Sequence, residues 1–310
     1  MTLTLMLAAM LAAAAIEKPL TAPGPDGPLA GTLVDAGKGA PVVLILPGSG
    51  PTDRHGNNRL GVTAASYRLL AEGLAERGVS SVRIDKRGMF ASKAAIADPN
   101  KVTIADYAAD AHAWAATIRK ATGAQCVWLL GHSEGALIAL AAGQRPDGIC
   151  GIVTVSGPGR KLGDVIREQL KANPANAPIL DIALATLAKV ESGEAIDSAT
   201  LPAALQPLFY NDVQPFLRDL LSHDPARLAG SLEVPLLVIQ GDKDIQVSVE
   251  DAKRLAAAQP KAKLAVLPQV NHVLKIPAGE DRGANLATYA DASLPIAPSV
   301  FDAVTGFVKP

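Results

Sequence analysis

The fold of this chain is decided by residues 126–135, which read CVWLLGHSEG. The apolar start predicts a buried strand, and the residues from about Ser133 to Ala142 have the pattern of a helix. Glycines at 131 and 135 flank Ser133, and they remove the side chains that would collide in so sharp a strand-to-helix turn. The turn presents the serine hydroxyl at the carboxyl end of a sheet, where open α/β folds bind their ligands.

Strand and helix patterns alternate on both sides of this turn. Apolar runs predict strands at 41–46, 79–84, 126–130, 149–155, 235–239 and 262–267. Between several of them, apolar residues recur every three or four positions, which is typical of amphipathic helices. The alternation predicts an α/β fold, with a mostly parallel central sheet flanked by helices.

The alternation stops between residues 157 and 230, where helical patterns occur without a convincing strand. We therefore predict a core formed by residues 16–156 and 231–310, with residues 157–230 as a helical cap inserted late in the sheet. The apolar content of the insertion favours a cap over a pocket. A simple thickening of the scaffold is the alternative.

Composition narrows the class of protein. With 49% hydrophobic and 19% charged residues among 310, the chain is not of the disordered type. A net charge of -1 provides no field that would hold nucleic acid or an anionic membrane surface. Two cysteines exclude a disulfide-rich scaffold and a site of four thiolates. We expect an enzyme or a binder of small molecules.

The N-terminus has the pattern of an export signal. Residues 3–15 form an apolar and small-residue run that is too short to span a bilayer, and it ends in three alanines before Glu17. We predict a signal peptide at residues 1–15 and a periplasmic or secreted protein without a stable membrane anchor. No Lys or Arg precedes the run, so a misplaced start or an ordinary helix is the alternative.

The two cysteines, Cys126 and Cys150, fall near the starts of successive predicted strands. Export would place them in an oxidising compartment, where they could pair. Free cysteine is among the most buried residue types, so we expect two buried free thiols.

A serine hydroxyl is a weak nucleophile and needs a base that is itself held by an acid. In strand-turn-helix sites of this kind the chain order is nucleophile, acid, histidine. Of the five histidines, only His272 follows both Ser133 and the acidic candidates; the others are His55, His112, His132 and His223. The acid should lie in the loop after the strand at 235–239, where spacing alone does not separate Asp242 from Asp244.

An anionic tetrahedral intermediate also needs hydrogen-bond donors. The backbone N–H of Glu134 lies at the start of a predicted helix, where the helix dipole favours negative charge. A second donor should come from the Pro-Gly-Ser-Gly loop at 47–50, whose glycines let the backbone approach a substrate. That loop lacks the lysine of a phosphate-binding loop, which argues against nucleotide chemistry.

These motifs resemble the α/β-hydrolase family over nearly all of the chain after residue 15. Pro47–Arg54, Asp85–Gly88, the turn at Ser133, Gly241–Asp244 and His272 carry the resemblance. Within the family the chain looks most like bacterial exported serine esterases of the serine aminopeptidase-like group. The resemblance implies that Asp244 is the acid, that Ser49 supplies the second oxyanion donor, and that Arg87 braces the edge of the sheet.

The function implied is hydrolysis of carboxylic esters with small to medium acyl groups through an acyl-enzyme on Ser133. No metal and no organic cofactor is expected, and the expected partner is a small-molecule ester. An aminopeptidase, a thioesterase and an acyltransferase would use the same triad. An aminopeptidase would need an acid for the substrate ammonium, and the candidates are Glu134, Asp164 and Glu168. A non-catalytic binding protein is the rival from another class.

Overall fold

The computed structural model describes residues 16–309, and eight strands within this range form one sheet. The strands are β1 Ile16–Pro23, β2 Pro28–Asp35, β3 Val42–Leu46, β4 Ser80–Ile84, β5 Val127–His132, β6 Ile149–Val155, β7 Leu236–Gly241 and β8 Lys263–Leu267. Their order in the sheet is β1-β2-β4-β3-β5-β6-β7-β8. The six strands from β3 to β8 are parallel, so their carboxyl ends lie along one edge.

Helices cover both faces of this sheet. They are α1 Ser66–Ala75, α2 Ile104–Thr122, α3 Glu134–Ala142, α4 Leu162–Ala172, α5 Leu180–Glu191, α6 Gln214–Ser222, α7 Pro225–Gly230, α8 Val249–Ala258, α9 Arg282–Ala287 and α10 Pro298–Val308. Buried side chains of α2, α3 and α8 form a core on one face, and those of α1 and α10 form a core on the other. The predicted α/β class is confirmed.

The six predicted strands are all present, with shifts of one or two residues at their ends. The structure adds β1 and β2, an antiparallel hairpin that pairs with β4 at the edge of the sheet. β1 is mostly exposed, so its sequence lacks the continuous apolar run that marks a central strand. This is why the hairpin is not apparent from the sequence.

Between β6 and β7 the chain forms helices α4 to α7 and short 3₁₀ turns. Buried residues of α5 and α6, among them Leu187 and Leu220, join the core cluster that α2 and α3 form. α7, the last helix of the predicted insertion, packs against α3 and α8 of the core. Gln144 and Gln259 donate hydrogen bonds to carbonyl groups of this helix.

The expectation of free thiols is wrong, because Cys126 and Cys150 form a disulfide bond. Strands β5 and β6 are neighbours, and their register shifts between Val127 and Trp128, which leaves Cys150 as an extra residue opposite the start of β5. The two Cα atoms are therefore 5.1 Å apart, within the range that a disulfide spans. Both residues are only half-buried, so the burial that favours free thiols is also lacking.

The predicted signal peptide, residues 1–15, lies outside the described residues. Within residues 16–309, no helix combines the length and the apolar character that a bilayer crossing requires.

Candidate active site

Ser133 occupies the turn between β5 and α3 with φ 54° and ψ −119°. Such a conformation costs about 1–3 kcal/mol in a non-glycine residue, so the surrounding structure must impose it. A Cβ added at Gly131 would lie 2.0 Å from the carbonyl oxygen of Gly135, and one at Gly135 would lie 2.2 Å from that of Leu46. Only glycine fits on either side of Ser133, and the turn is as sharp as the sequence indicates.

His272 lies on the loop after β8, and its Nδ1 is 2.8 Å from Oδ2 of Asp244. The Asp244 side chain is fully buried. Its Oδ1 accepts hydrogen bonds from the backbone N–H groups of Gln246 and Val247, at 2.8 and 3.0 Å. Burial alone would raise the pKa of Asp244, but the His272 charge and these hydrogen bonds lower it below the ordinary value. An ionised Asp244 keeps the proton on Nδ1 of His272 and leaves Nε2 free to act as a base.

Asp242 has a different role from Asp244. It is exposed, and its Oδ1 accepts a hydrogen bond of 2.6 Å from the backbone N–H of Gln269. Asp242 therefore shapes the turn that leads to His272, and it does not contact the imidazole. The structure separates two residues that spacing in the sequence leaves equivalent.

The loop of His272 packs directly on the turn that carries the serine. The rings of His132 and His272 are 4.8 Å apart between centroids, and His132 immediately precedes Ser133. The hydrogen bonds of residues 16–309 do not include one between the Ser133 hydroxyl and the His272 ring. Catalytic hydrogen bonds are often long in a free enzyme and shorten when substrate binds.

A buried chain of hydrogen bonds joins the loop at 47–50 to the loop of His272. The N–H of Gly48 donates to the hydroxyl of Tyr67 at 2.9 Å, and this hydroxyl lies 2.8 Å from Nδ1 of His132. Nε2 of His132 is 2.8 Å from the carbonyl oxygen of His272. Because a carbonyl oxygen only accepts, Nε2 carries the proton and Nδ1 accepts from Tyr67.

His132 is neutral as a result of its surroundings. Burial, followed by the charge of His272, lowers the pKa of His132 to about 3. The sequence analysis leaves His132 out as the base, and it misses both the link that His132 makes between the two loops and the part of Tyr67 in that link. The sequence does contain a signal for this link. A histidine at the end of a buried strand must find hydrogen-bond partners, because buried polar groups need them.

The two candidate oxyanion donors belong to segments next to Ser133. A Cβ on Gly48 would be 3.3 Å from Cβ of Ser133, so the loop of Ser49 lies against the turn. Ser49 is exposed, and its carbonyl accepts a hydrogen bond from Thr52. Glu134 is the first residue of α3, and the first N–H groups of a helix have no carbonyl within the helix to bind. Both donor residues therefore belong to segments that adjoin Ser133.

Two lysines that the sequence analysis does not single out are buried beside these loops. Lys86 forms an ion pair of 2.9 Å with Glu134, and both side chains are at most 3% exposed. Lys275 is fully buried and donates a 2.8 Å hydrogen bond to the carbonyl of Ala64 and a second one to the carbonyl of Asp291. Burial lowers the pKa of Lys275. Lys275 ties the loop of His272 to two neighbouring segments.

Arg87 connects the end of β4 to α2. Its guanidinium group donates to both carboxylate oxygens of Asp110, at 2.9 and 2.7 Å, and also to Asp106. These contacts support the edge of the sheet and involve none of the candidate catalytic groups.

A cavity of about 340 Å³ lies between the inserted helices and the core, next to the loop of Asp244. Its apolar lining includes Ile166, Leu170, Leu208, Ile245, Leu286 and Tyr289. A larger depression of about 670 Å³ is bordered by charged side chains of α4 and α8, and its arginines are already paired with carboxylates. The smaller cavity is the better candidate for substrate, because it adjoins the loop that follows Asp244 and its lining combines these apolar side chains with polar ones such as Gln169, Gln246 and Arg282.

No group of three or more His, Cys, Asp or Glu residues within 16–309 is arranged to hold a metal ion.

The family profile described as "Alpha/beta hydrolase family" matches residues 42–287. The esterase EstD of Thermotoga maritima is 28% identical over 268 residues, which are 83% of this chain and 60% of that protein. The chain therefore spans about 60% of the length of this curated relative.

Solved structures agree in fold. The Pyrococcus furiosus esterase Pf2001 is 21% identical, with a TM-score of 0.55 over 84% of this chain and 83% of that one. The alpha/beta hydrolase GrgF from a Penicillium species is 19% identical, with a TM-score of 0.57 over 83% of this chain and 91% of that one. At these identities the likeness shows the fold alone.

The neutral state of His132 predicts a specific dependence of stability on pH. The unfolded chain binds a proton at this residue below its ordinary pKa of 6.5, whereas the folded chain binds it only near a pKa of about 3. The free energy of unfolding should therefore fall as the pH drops through this window, by about 1.4 kcal/mol per pH unit from His132. Urea unfolding of wild type and of His132→Asn, measured across the window, gives this contribution as a difference. Two parallel pH profiles would contradict it.

Proposed function

The chain belongs to the α/β-hydrolase family, and we propose that it is a serine esterase that hydrolyses carboxylic esters. The observation that carries the proposal is the 2.8 Å contact between Nδ1 of His272 and the buried Asp244, beside a serine with φ 54°. The name of the Thermotoga maritima relative supports the same activity. In this proposal Ser133, Asp244 and His272 form the catalytic triad.

The proposed reaction has two steps. Ser133 attacks the ester carbonyl while Nε2 of His272 takes the hydroxyl proton, and Asp244 stabilises the imidazolium that forms. The alcohol leaves with the proton from His272, and the acyl group remains on Ser133. Water then attacks the acyl-enzyme, with His272 acting again as the base, and the free acid is released.

The oxyanion of each tetrahedral intermediate is held by backbone N–H groups of Ser49 and Glu134. The closeness of Gly48 to Ser133, which leaves little room for a Cβ at residue 48, and the position of Glu134 at the start of α3 support this assignment. Donors placed in advance in this way stabilise charge as it develops, without a cost of reorganisation during the reaction.

The proposed substrates are esters with apolar acyl groups of small to medium size. The cavity of about 340 Å³ adjoins the loop of Asp244, and cavities of this size are at the lower end of the range for drug-sized ligands. Apolar side chains from both the inserted helices and the core line it.

The three acids that could bind the substrate ammonium of an aminopeptidase are each paired with a basic side chain. Glu134 is paired with Lys86 at 2.9 Å, Asp164 with Arg167 at 3.2 Å, and Glu168 with Arg160. Recruiting one of them for a substrate ammonium group would cost an existing ion pair. The esterase proposal needs no such acid, and it is therefore preferred over the aminopeptidase. Thioesterase and acyltransferase activities would use the same groups as the esterase.

We also propose that the protein is exported. The apolar run at residues 3–15 motivates the proposal, and the disulfide between Cys126 and Cys150 supports it. Structural disulfides persist mainly in oxidising compartments such as the bacterial periplasm.

Replacement of the proposed nucleophile should abolish turnover. Ser133→Ala is expected to lower kcat for a nitrophenyl ester by about 10⁴-fold or more, because loss of a triad member leaves only binding and oxyanion stabilisation. A fluorophosphonate probe should label wild type at Ser133 and should not label the variant. Ser156→Ala is the matched control: Ser156 also directly follows a buried strand and has a positive φ, and its hydroxyl has no hydrogen-bond partner within the described residues. Wild-type turnover by Ser133→Ala would refute the proposal.

The two aspartates after β7 should differ sharply in their effect. Asp244→Asn removes the charge that faces His272, and we expect kcat to fall by about 10³–10⁴-fold. Asp242→Asn changes an exposed turn residue two positions away, and kcat should stay within about threefold of wild type because no catalytic contact is lost. Steady-state kinetics on one ester gives both values. Equal losses in the two variants would show that the acid is assigned wrongly.

A panel of substrates tests the proposed specificity. Nitrophenyl esters of increasing acyl length should give a maximum of kcat/KM at short to medium chains, because the cavity beside Asp244 is limited in size. Matched amide and thioester analogues distinguish the related activities. Turnover confined to peptide or charged substrates would contradict the proposal.

A further inference from the structure

Lys86 makes two contacts that connect the candidate oxyanion donors. Its Nζ donates a 2.8 Å hydrogen bond to the carbonyl oxygen of Gly48 and lies 2.9 Å from Oε1 of Glu134. The ring of Tyr107 lies 5.4 Å from the same nitrogen, close enough for a cation–π contact. Lys86 is 3% exposed, and two of its three N–H donors bind protein groups. We propose that Lys86 is a positioning residue that orients and polarises the oxyanion hole, an inference that rests on the proposed esterase function.

The first contact acts on the donor of Ser49. The carbonyl of Gly48 and the N–H of Ser49 belong to one planar peptide group, so the orientation of the carbonyl sets the direction of the N–H. The Gly48 carbonyl points at Lys86, and the Gly48 N–H is held by Tyr67 at 2.9 Å. Both ends of Gly48 are therefore anchored, and rotation of the peptide away from Ser133 would break a buried hydrogen bond to a charged group.

The ammonium group also strengthens this donor. A positive charge at a carbonyl oxygen draws electron density from the peptide group, and linked hydrogen bonds polarise one another in a low-dielectric interior. The N–H of Ser49 becomes a better donor to a developing oxyanion. This effect needs the charge of Lys86 as well as its position.

The second contact acts on the other donor. Glu134 supplies its backbone N–H to the oxyanion, yet its side chain is a carboxylate one residue from the nucleophile. A buried, unpaired carboxylate there would oppose the negative charge of the tetrahedral intermediate. Oε2 of Glu134 has no hydrogen-bond partner within the described residues, so Oε1 and Lys86 account for the neutralisation of this group.

A purely structural role for Lys86 is the competing explanation. Buried ion pairs are often replaceable by apolar side chains without loss of stability, whereas removal of one partner is strongly destabilising. The two explanations therefore differ in a double variant. Lys86→Met/Glu134→Leu removes both charges and keeps the backbone N–H of residue 134.

The experiment measures stability and catalysis on the same preparations. Active sites are titrated with a fluorophosphonate, so kcat refers to competent enzyme only. We expect Lys86→Met to be less stable than wild type and the double variant to recover most of the lost melting temperature. The kcat of the double variant should remain about 10–100-fold below that of wild type, with KM within about threefold. Full loss of one oxyanion donor lowers kcat by about 10²–10³-fold, so weaker positioning should cost less. The inhibition constant of a trifluoromethyl ketone, which forms a tetrahedral oxyanion adduct, should rise by a similar factor.

The control is a second buried ion pair that touches no oxyanion donor, Arg87 with Asp110. Arg87→Met/Asp110→Leu should keep wild-type kcat and the wild-type inhibition constant for each competent site. Recovery of both constants in the Lys86 and Glu134 double variant, together with its stability, would overturn the inference. Absence of ester turnover and of fluorophosphonate labelling in wild type would instead overturn the proposed function, so the two failures are distinguishable.

Discussion

The close approach of three backbone segments around Ser133 is the constraint on which the rest of the site depends. The end of β3, the turn after β5 and the start of α3 meet with no room for a Cβ at Gly131 or Gly135. This crowding holds Ser133 at a positive φ and leaves its hydroxyl at the carboxyl edge of the sheet. The strain at one residue is small beside the burial of two apolar cores, which keep the segments in place.

Polar groups buried around this turn fix the positions of the loops that surround Ser133. Tyr67 and His132 join the loop of Gly48 to the loop of His272, and Lys86 joins Gly48 to Glu134. A buried polar group without a hydrogen-bond partner costs free energy. Removal of one member of the network would therefore destabilise the others. The same contacts hold the loops of Gly48 and His272 and the start of α3 close to the turn of Ser133. Groups placed in advance in this way need little reorganisation during a reaction.

Local patterns predicted the parallel sheet, since buried strands and amphipathic helices depend on short-range periodicity. They also predicted the turn at Ser133, because steric demands select glycine at 131 and 135. The same patterns did not reveal the β1–β2 hairpin, whose edge strand is exposed. They did not show that α7 packs against α3 and α8, because a helical pattern does not specify a packing partner.

The sequence by itself determined the order of the candidate groups and the residue types that such chemistry requires. Only the tertiary structure decided that Asp244 rather than Asp242 faces His272, that Cys126 is bonded to Cys150, and that Lys86 is buried between two loops. These outcomes depend on strand order, register and the direction of side chains, which join residues far apart in the chain. The periodicity of apolar residues indicates which face of a helix or strand is buried. It does not indicate which buried polar groups contact each other.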